Sequence, residues 1–241
     1  MRKLSIVLAG LVMLVGCAKE TLQPTHEDVN IIITYALDTS VGTDMTKATD
    51  AEVFDMFYDK MKTGELVAQD FVLEFTETTT GEKYQFNGSW GSKSMVTIRT
   101  GRYKVEGTST ARGNYIQSIA SLKFDEEIEI SASSNSVCLK AIYDCYLLAF
   151  AKSDITSLQC IPYISSYVTD NKDFFVLEDY YYAFVQDQIY SKVSEGCIMG
   201  WRENGDTFKI LTGNARFEKG KYYIYTDVSG NFELPKMETG N

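Results

Sequence analysis

Along this chain of 241 residues, apolar and polar positions alternate with a period of two far more often than with a helical period. Val29, Ile31, Ile33 and Tyr35 interleave with Asn30, Ile32 and Thr34, the spacing of a first strand. Phe71, Leu73 and Phe75 share a face, Thr80-Gly81 turns the chain, and Tyr84 and Phe86 return. Asn87-Gly88 reads as a second turn, because these residues accept the backbone of tight hairpins. Val96 and Ile98 predict another strand, Gly101 a turn, and Tyr103 and Val105 the next strand. Ile128, Ile130 and Ala132 alternate with Glu127, Glu129 and Ser131, giving a strand with one wet face. Ser133-Ser134-Asn135 turns into Val137 to Ala141, and Tyr143 to Phe150 is apolar enough to be buried on both faces.

One stretch keeps a helical period. Thr49-Asp50-Ala51-Glu52 has the capping-box spacing, Val53, Phe54, Phe57 and Met61 fall on one face, and Gly64 suits the C-terminal cap. A helix is expected over Thr49 to Lys62, covering one end or face of a sheet.

The later chain echoes the earlier one. Gly81-Glu82-Lys83-Tyr84-Gln85-Phe86 and Gly205-Asp206-Thr207-Phe208-Lys209-Ile210 place glycine, acid and aromatic at the same steps. Gly101-Arg102-Tyr103-Lys104-Val105 and Gly220-Lys221-Tyr222-Tyr223-Ile224 end both segments alike. The reading is mainly β: two tandem β-sandwich modules, about Asp28 to Ser133 and Ser134 to Asn241, with one short helix after the first strand.

The first residues say where the chain goes. Arg2 and Lys3 precede an apolar run from Leu4 to Val15, a secretory leader rather than a membrane span, which needs about 20 apolar residues. Leu14-Val15-Gly16-Cys17 resembles the lipobox of bacterial lipoproteins. That resemblance implies cleavage of residues 1–16 and acylation of Cys17, palmitate included, and so a lipid anchor in the outer membrane. Residues 17–27 form a short polar tether containing Pro24, and Ala18-Lys19-Glu20 partly resembles the surface-export signal of Bacteroidetes lipoproteins. Lipobox, tether, paired β-modules and strands opening Gly-Arg/Lys-Tyr-x-Val/Ile together resemble the fimbrillin-like surface lipoproteins of Bacteroidetes. The resemblance implies transthyretin-like or Greek-key sandwiches stacked end to end, and a non-enzymatic adhesion or fimbria-accessory role with protein partners in a surface assembly. No Arg/Lys maturation site of the pilin kind stands in the expected loop.

Charge narrows the partners. The 23 basic residues lose Arg2 and Lys3 with the leader while all 33 acidic ones remain, so the net charge moves from −10 to about −12. An evenly acidic surface repels phosphate backbones and anionic lipid, which excludes nucleic acid as a partner and leaves attachment to acyl chains. Cys138, Cys145, Cys160 and Cys197 remain after processing; they form two disulfides in any of three pairings, or none and act as small buried hydrophobes. No Cys-x-x-Cys pair is present and His26 is the only histidine, so neither a zinc site nor a cofactor is expected.

His26 stands in the tether, where it cannot be fixed against a nucleophile, so Ser-His-Asp and Cys-His chemistry are set aside. Asp125-Glu126-Glu127 reads as a solvated turn, and Asp170-Asn171-Lys172-Asp173 lacks the glycine and glutamate of a calcium loop. Two aromatic groups are candidates for glycan binding, the alternative function, in which the lipoprotein serves a polysaccharide uptake system. They are Trp90, between Gly88 and Gly91, and Trp201 with Tyr180-Tyr181-Tyr182. An exposed ring stacks on the apolar face of a pyranose while neighbouring polar groups take its hydroxyls. In a strand Tyr181 faces away from Tyr180 and Tyr182, so at least one face of that run belongs to a core.

Overall fold

The computed structural model describes residues 27–38, 51–109, 116–160, 163–164, 167–168, 172–186, 198–210 and 217–228. Cys17, the tether as far as His26, Thr49-Asp50 and Cys197 lie outside the described residues. The described chain is mainly β, with a single helix, α1 (Ala51–Lys62).

Strands β1 (Asp28–Leu37), β2 (Asp70–Glu77), β3 (Lys83–Ser89), β4 (Ser94–Arg99) and β5 (Gly101–Ser109) build the first sandwich. After the short β6 (Ile116–Gln117), β7 (Leu122–Ile130) and β8 (Ser136–Tyr143) complete it. One hydrogen-bonded path runs β3-β2-β5-β7-β8-β1-β4. Tyr35 of β1 meets Phe71 of β2 edge-on at 4.7 Å, so β8-β1-β4 lies against β3-β2-β5-β7. Only Thr100 separates β4 from β5, and the chain changes layer there. Period-two alternation fills the space between the layers with Ile31, Ile33, Phe71, Leu73, Phe75, Tyr103, Val105 and Phe124, all buried.

The second sandwich holds β9 (Tyr146–Ala151), β10 (Ile155–Cys160), β11 (Tyr163–Ile164), β12 (Tyr167–Val168) and β13 (Lys172–Asp173). It continues with β14 (Phe175–Leu177), β15 (Tyr180–Val185), β16 (Ile198–Arg202), β17 (Thr207–Ile210) and β18 (Tyr222–Tyr225). Its layers run β13-β10-β16-β17 and β14-β15-β9-β18, with β11 and β12 paired apart from both.

The two sandwiches have one construction. The order β3-β2-β5-β7 answers to β13-β10-β16-β17, and β8-β1-β4 answers to β18-β9-β15. Directions agree throughout: the opening strand of each unit is parallel to its closing strand, β1 with β8 and β9 with β18. The remaining equivalent pairs are antiparallel.

The glycine motifs read from the sequence do not mark this equivalence. Gly81 leads into β3 but Gly205 into β17, which answers to β7; Tyr103 lies on β5 but Tyr222 on β18, which answers to β8. What repeats in the sequence is turn chemistry, which recurs wherever a hairpin needs it. Ser133-Ser134-Asn135 joins β7 to β8 inside the first sheet, and the passage to the second set of strands falls at Asp144-Cys145. Asn87-Gly88 also differs from expectation. Both residues sit inside β3, paired with Val72 and Phe71. Glycine is needed at 88 because a Cβ would overlap the Phe71 ring and approach the Tyr35 hydroxyl at 2.8 Å.

Helix α1 is a wedge between the sandwiches. Phe54 meets Tyr222 at 4.9 Å, while Phe57 meets Tyr182 at 5.6 Å and Tyr180 at 6.2 Å. The helix stops at Gly64, whose φ of +91° only glycine adopts without strain, with its N–H donating to Met61 O at 3.1 Å. Beside it, residues 116–122 of the first unit clasp the second. β6 pairs with β15, the Tyr182 hydroxyl donates to Ser118 O at 3.0 Å, and Gln186 Nε2 donates to Ser121 Oγ at 2.6 Å. The layer β15-β9-β18 is therefore buried on both sides. Leu147, Ala149, Tyr182, Phe184, Tyr222 and Ile224 join the first core; Leu148, Phe150, Tyr181, Ala183, Tyr223 and Tyr225 join the second.

Candidate functional site

Trp90, Trp201 and Tyr181 carry the expectation of glycan binding, and the fold separates them. Tyr181 is 8% exposed in the second core, and its hydroxyl donates to Ile155 O at 3.4 Å. Trp90 follows β3 in a turn, its N–H donating to Gln69 O at 2.7 Å. The ring is half-buried against the first core and so close to Gly64 that a Cβ there would overlap it. Both rings hold elements together.

Trp201 is placed differently. It is half-buried on β16, where Ile198 and Gly200 face the second core and Met199 and Trp201 face outward. Strand register sets Ser157 of β10 and Thr207 of β17 on either side of it. The next row outward is Gln159, Met199 and Lys209, with Asp173 of β13 beyond, and Gln159 Nε2 donates to Asp173 Oδ1 at 2.8 Å.

The local sequence accounts for this arrangement. The β16–β17 turn is closed by Arg202 N–H to Asp206 O at 2.8 Å and by Asp206 N–H to Asn204 Oδ1 at 2.9 Å. On the inner side the Phe208 ring crosses Gly200, where a Cβ would overlap it. The Arg202 guanidinium stacks on that ring at 4.6 Å, pairs with Asp154 and donates to Val228 O at 3.0 Å. With the inner face fixed, alternation leaves Trp201 no direction but outward. The Thr156 hydroxyl donates to Trp201 O at 3.2 Å, beside an irregularity between Ile155 and Ser157 that opens β10.

The equivalent face of the first sandwich is entirely different. There Glu74, Arg102, Lys104, Glu106, Asp125, Glu127 and Glu129 project outward, with Lys83–Glu74 at 2.6 Å, Lys104–Glu106 at 2.8 Å and Lys123–Asp125 at 2.8 Å. Asp125-Glu126-Glu127 accordingly lies within β7 rather than in a turn; Glu126 is half-buried, accepts the Lys140 N–H at 2.7 Å, and burial raises its carboxyl. One of two sheets of the same order thus carries a densely charged face; the other carries an indole flanked by Ser157 and Thr207, with one cation, Lys209, and one acid, Asp173, in the row beyond.

Of the cysteines, Cys138 is exposed on β8 and Cys145 and Cys160 are buried; Cys138 and Cys145 carry free thiols. Burial pushes the Cys145 thiol up to about 12. Among the described residues no group of three or more His, Cys, Asp or Glu is placed to hold a metal ion, and no helix is long and apolar enough to cross a membrane.

No protein-family model matches this sequence, and no curated protein matches it. Solved structures do. A candidate cell adhesion protein from Bacteroides thetaiotaomicron is similar at a TM-score of 0.52 and 12% identity, over 86% of this chain and 99% of that one. A candidate cell adhesion protein from Bacteroides uniformis has a TM-score of 0.45 at 12% identity, over 87% of this chain and 97% of that one. A fimbrial assembly protein from Parabacteroides distasonis has 0.39 at 12%, over 83% and 90%. The first of these shares the fold with this chain across nearly its whole length; at such identity the fold alone is shared.

Proposed function

We propose that this chain is a non-enzymatic lipoprotein of the outer-membrane surface, acting in adhesion or as an accessory part of a fimbria-like assembly. The observation that carries the reading is the doubled sandwich, shared along 99% of a candidate cell adhesion protein. The leader ending in Leu14-Val15-Gly16-Cys17 supports a lipid anchor, and the acidic balance leaves acyl chains as the means of attachment. A paired sandwich suits such a role because its two layers per unit fix a rigid stalk whose outer faces are free to vary. The test is made on intact cells. Labelled palmitate should enter the wild-type protein and not Cys17→Ser, and external protease should remove the protein without lysis. A mature protein that is unlabelled, or protected until the outer membrane is opened, would overturn the anchored surface reading.

A further inference from the structure

We propose that the outward face of β10, β16 and β17, centred on Trp201, is a carbohydrate-stacking subsite for neutral pyranoses. The argument begins with the duplication. Two sheets of identical order and direction have had their outer faces filled differently: the first is covered by charged side chains, and only the second sets a tryptophan at the centre of the face. The second sets an indole there, flanked directly by the hydroxyls of Ser157 and Thr207 and, one row on, by Gln159, the thioether of Met199 and Lys209, with Asp173 beyond.

That set has the chemistry of sugar recognition. The flat apolar ring covers the C–H face of a pyranose, and short hydroxyl and amide groups beside it can donate to or accept from the ring hydroxyls. Gln159 is already oriented by its hydrogen bond to Asp173. Trp201 is backed by a sheet rather than by a loop, which holds the platform still. On the face itself Lys209 is offset by Asp173 in the same row, so the net charge of −10 decides against uronic or sulfated sugars and leaves neutral ones. Trp90 and Tyr181, the other aromatic candidates, are engaged in packing and take no part. The subsite deepens the adhesive reading by naming a surface glycan as the partner.

The chain has two tryptophans, so in a Trp90→Phe background the emission reports Trp201 alone. Cellohexaose and mannohexaose are the neutral probes, and hexagalacturonate is the acidic one. A saturable change of emission with at least one neutral hexaose is expected, with none from hexagalacturonate. By calorimetry Trp201→Ala should weaken that binding about tenfold or more, while Trp201→Tyr, which keeps a ring, should stay within about tenfold of wild type. Thermal melting checks that each variant is folded; if Trp201→Ala is not, Thr207→Val tests the same face and should weaken binding. Binding of neither neutral probe, equal binding by Trp201→Ala, or preference for hexagalacturonate would each overturn the proposal. Failure here with adhesion intact removes the subsite and leaves the adhesive role. Sugar binding by a protein that is absent from the cell surface removes that role and leaves the subsite.

Discussion

Replacing Phe57 with alanine should destabilise the protein by about 3–5 kcal/mol, as large-to-small core substitutions do. Phe57 is 0% exposed, and its ring touches Tyr180 and Tyr182 of the second sandwich from a helix that belongs to the first. A phenylalanine buries roughly 150–250 Å², which at about 25 cal/mol per Å² is about 4–6 kcal/mol, part of it retained by the alanine methyl. The two ring contacts add about 0.5–1.5 kcal/mol each. Against a total stability of about 5–15 kcal/mol this is a large fraction. The form of the loss matters as much as its size. Because the wedge couples the two cores, the wild type should unfold in urea as one transition by both circular dichroism and fluorescence, and Phe57→Ala should separate the two probes. Asp55→Ala, on the exposed side of the same helix, is the control and should change stability by no more than about 0.5 kcal/mol. A loss below about 1 kcal/mol for Phe57→Ala, with the probes still coincident, would refute the wedge.

Gly88→Ala should lower stability by about 1–3 kcal/mol, read as melting temperature, since the new methyl needs the space of the Phe71 ring; an unchanged melting temperature would mean that the ring moves freely. Glu77 accepts the N–H of Thr79 at 2.9 Å and that of Thr80, and the Thr80 contact leads in holding its carboxyl below the usual 4.5. Its folded value is the lower one, so its stabilisation is complete above the unfolded value and is lost as pH falls through the folded one. Glu77→Gln should therefore melt lower than wild type at neutral pH and converge with it in acid, and parallel curves at all pH would contradict this. In the native protein Cys138 should react with iodoacetamide within minutes while Cys145, buried and with its thiol raised to about 12, reacts only on unfolding, as peptide mapping would read out. Equal labelling of the two would contradict the burial.

Much of the fold is legible in the sequence where one strand meets one core. Ile31 and Ile33, or Phe71, Leu73 and Phe75, announce their buried face by alternation alone, and Gly64 announces the end of the helix. What escapes is non-local. Gly88 answers to a ring on a neighbouring strand, so its neighbours in sequence suggest a turn that is not there. The equivalence of β3 with β13, or of β8 with β18, leaves no shared motif because strand order is set by pairing at long range. The Tyr180-Tyr181-Tyr182 run was readable as half core; that both faces are buried depends on a helix more than 115 positions earlier, with Phe57 against Tyr180 and Tyr182 and Tyr181 in the second core. For the candidate site, period two tells that Trp201 opposes Gly200, but only the Phe208 ring over Gly200 tells which of them faces in.

Adherence of whole cells is the measurement that decides the proposed attachment role. Cells lacking this chain, cells carrying it, and cells carrying the unanchored Cys17→Ser form should be compared for attachment to host-cell and bacterial surfaces under flow. Attachment should fall in the deletion strain, return with the wild-type chain, and not return with Cys17→Ser. Equal attachment by all three strains, with the wild-type chain verified at the surface, would contradict that role.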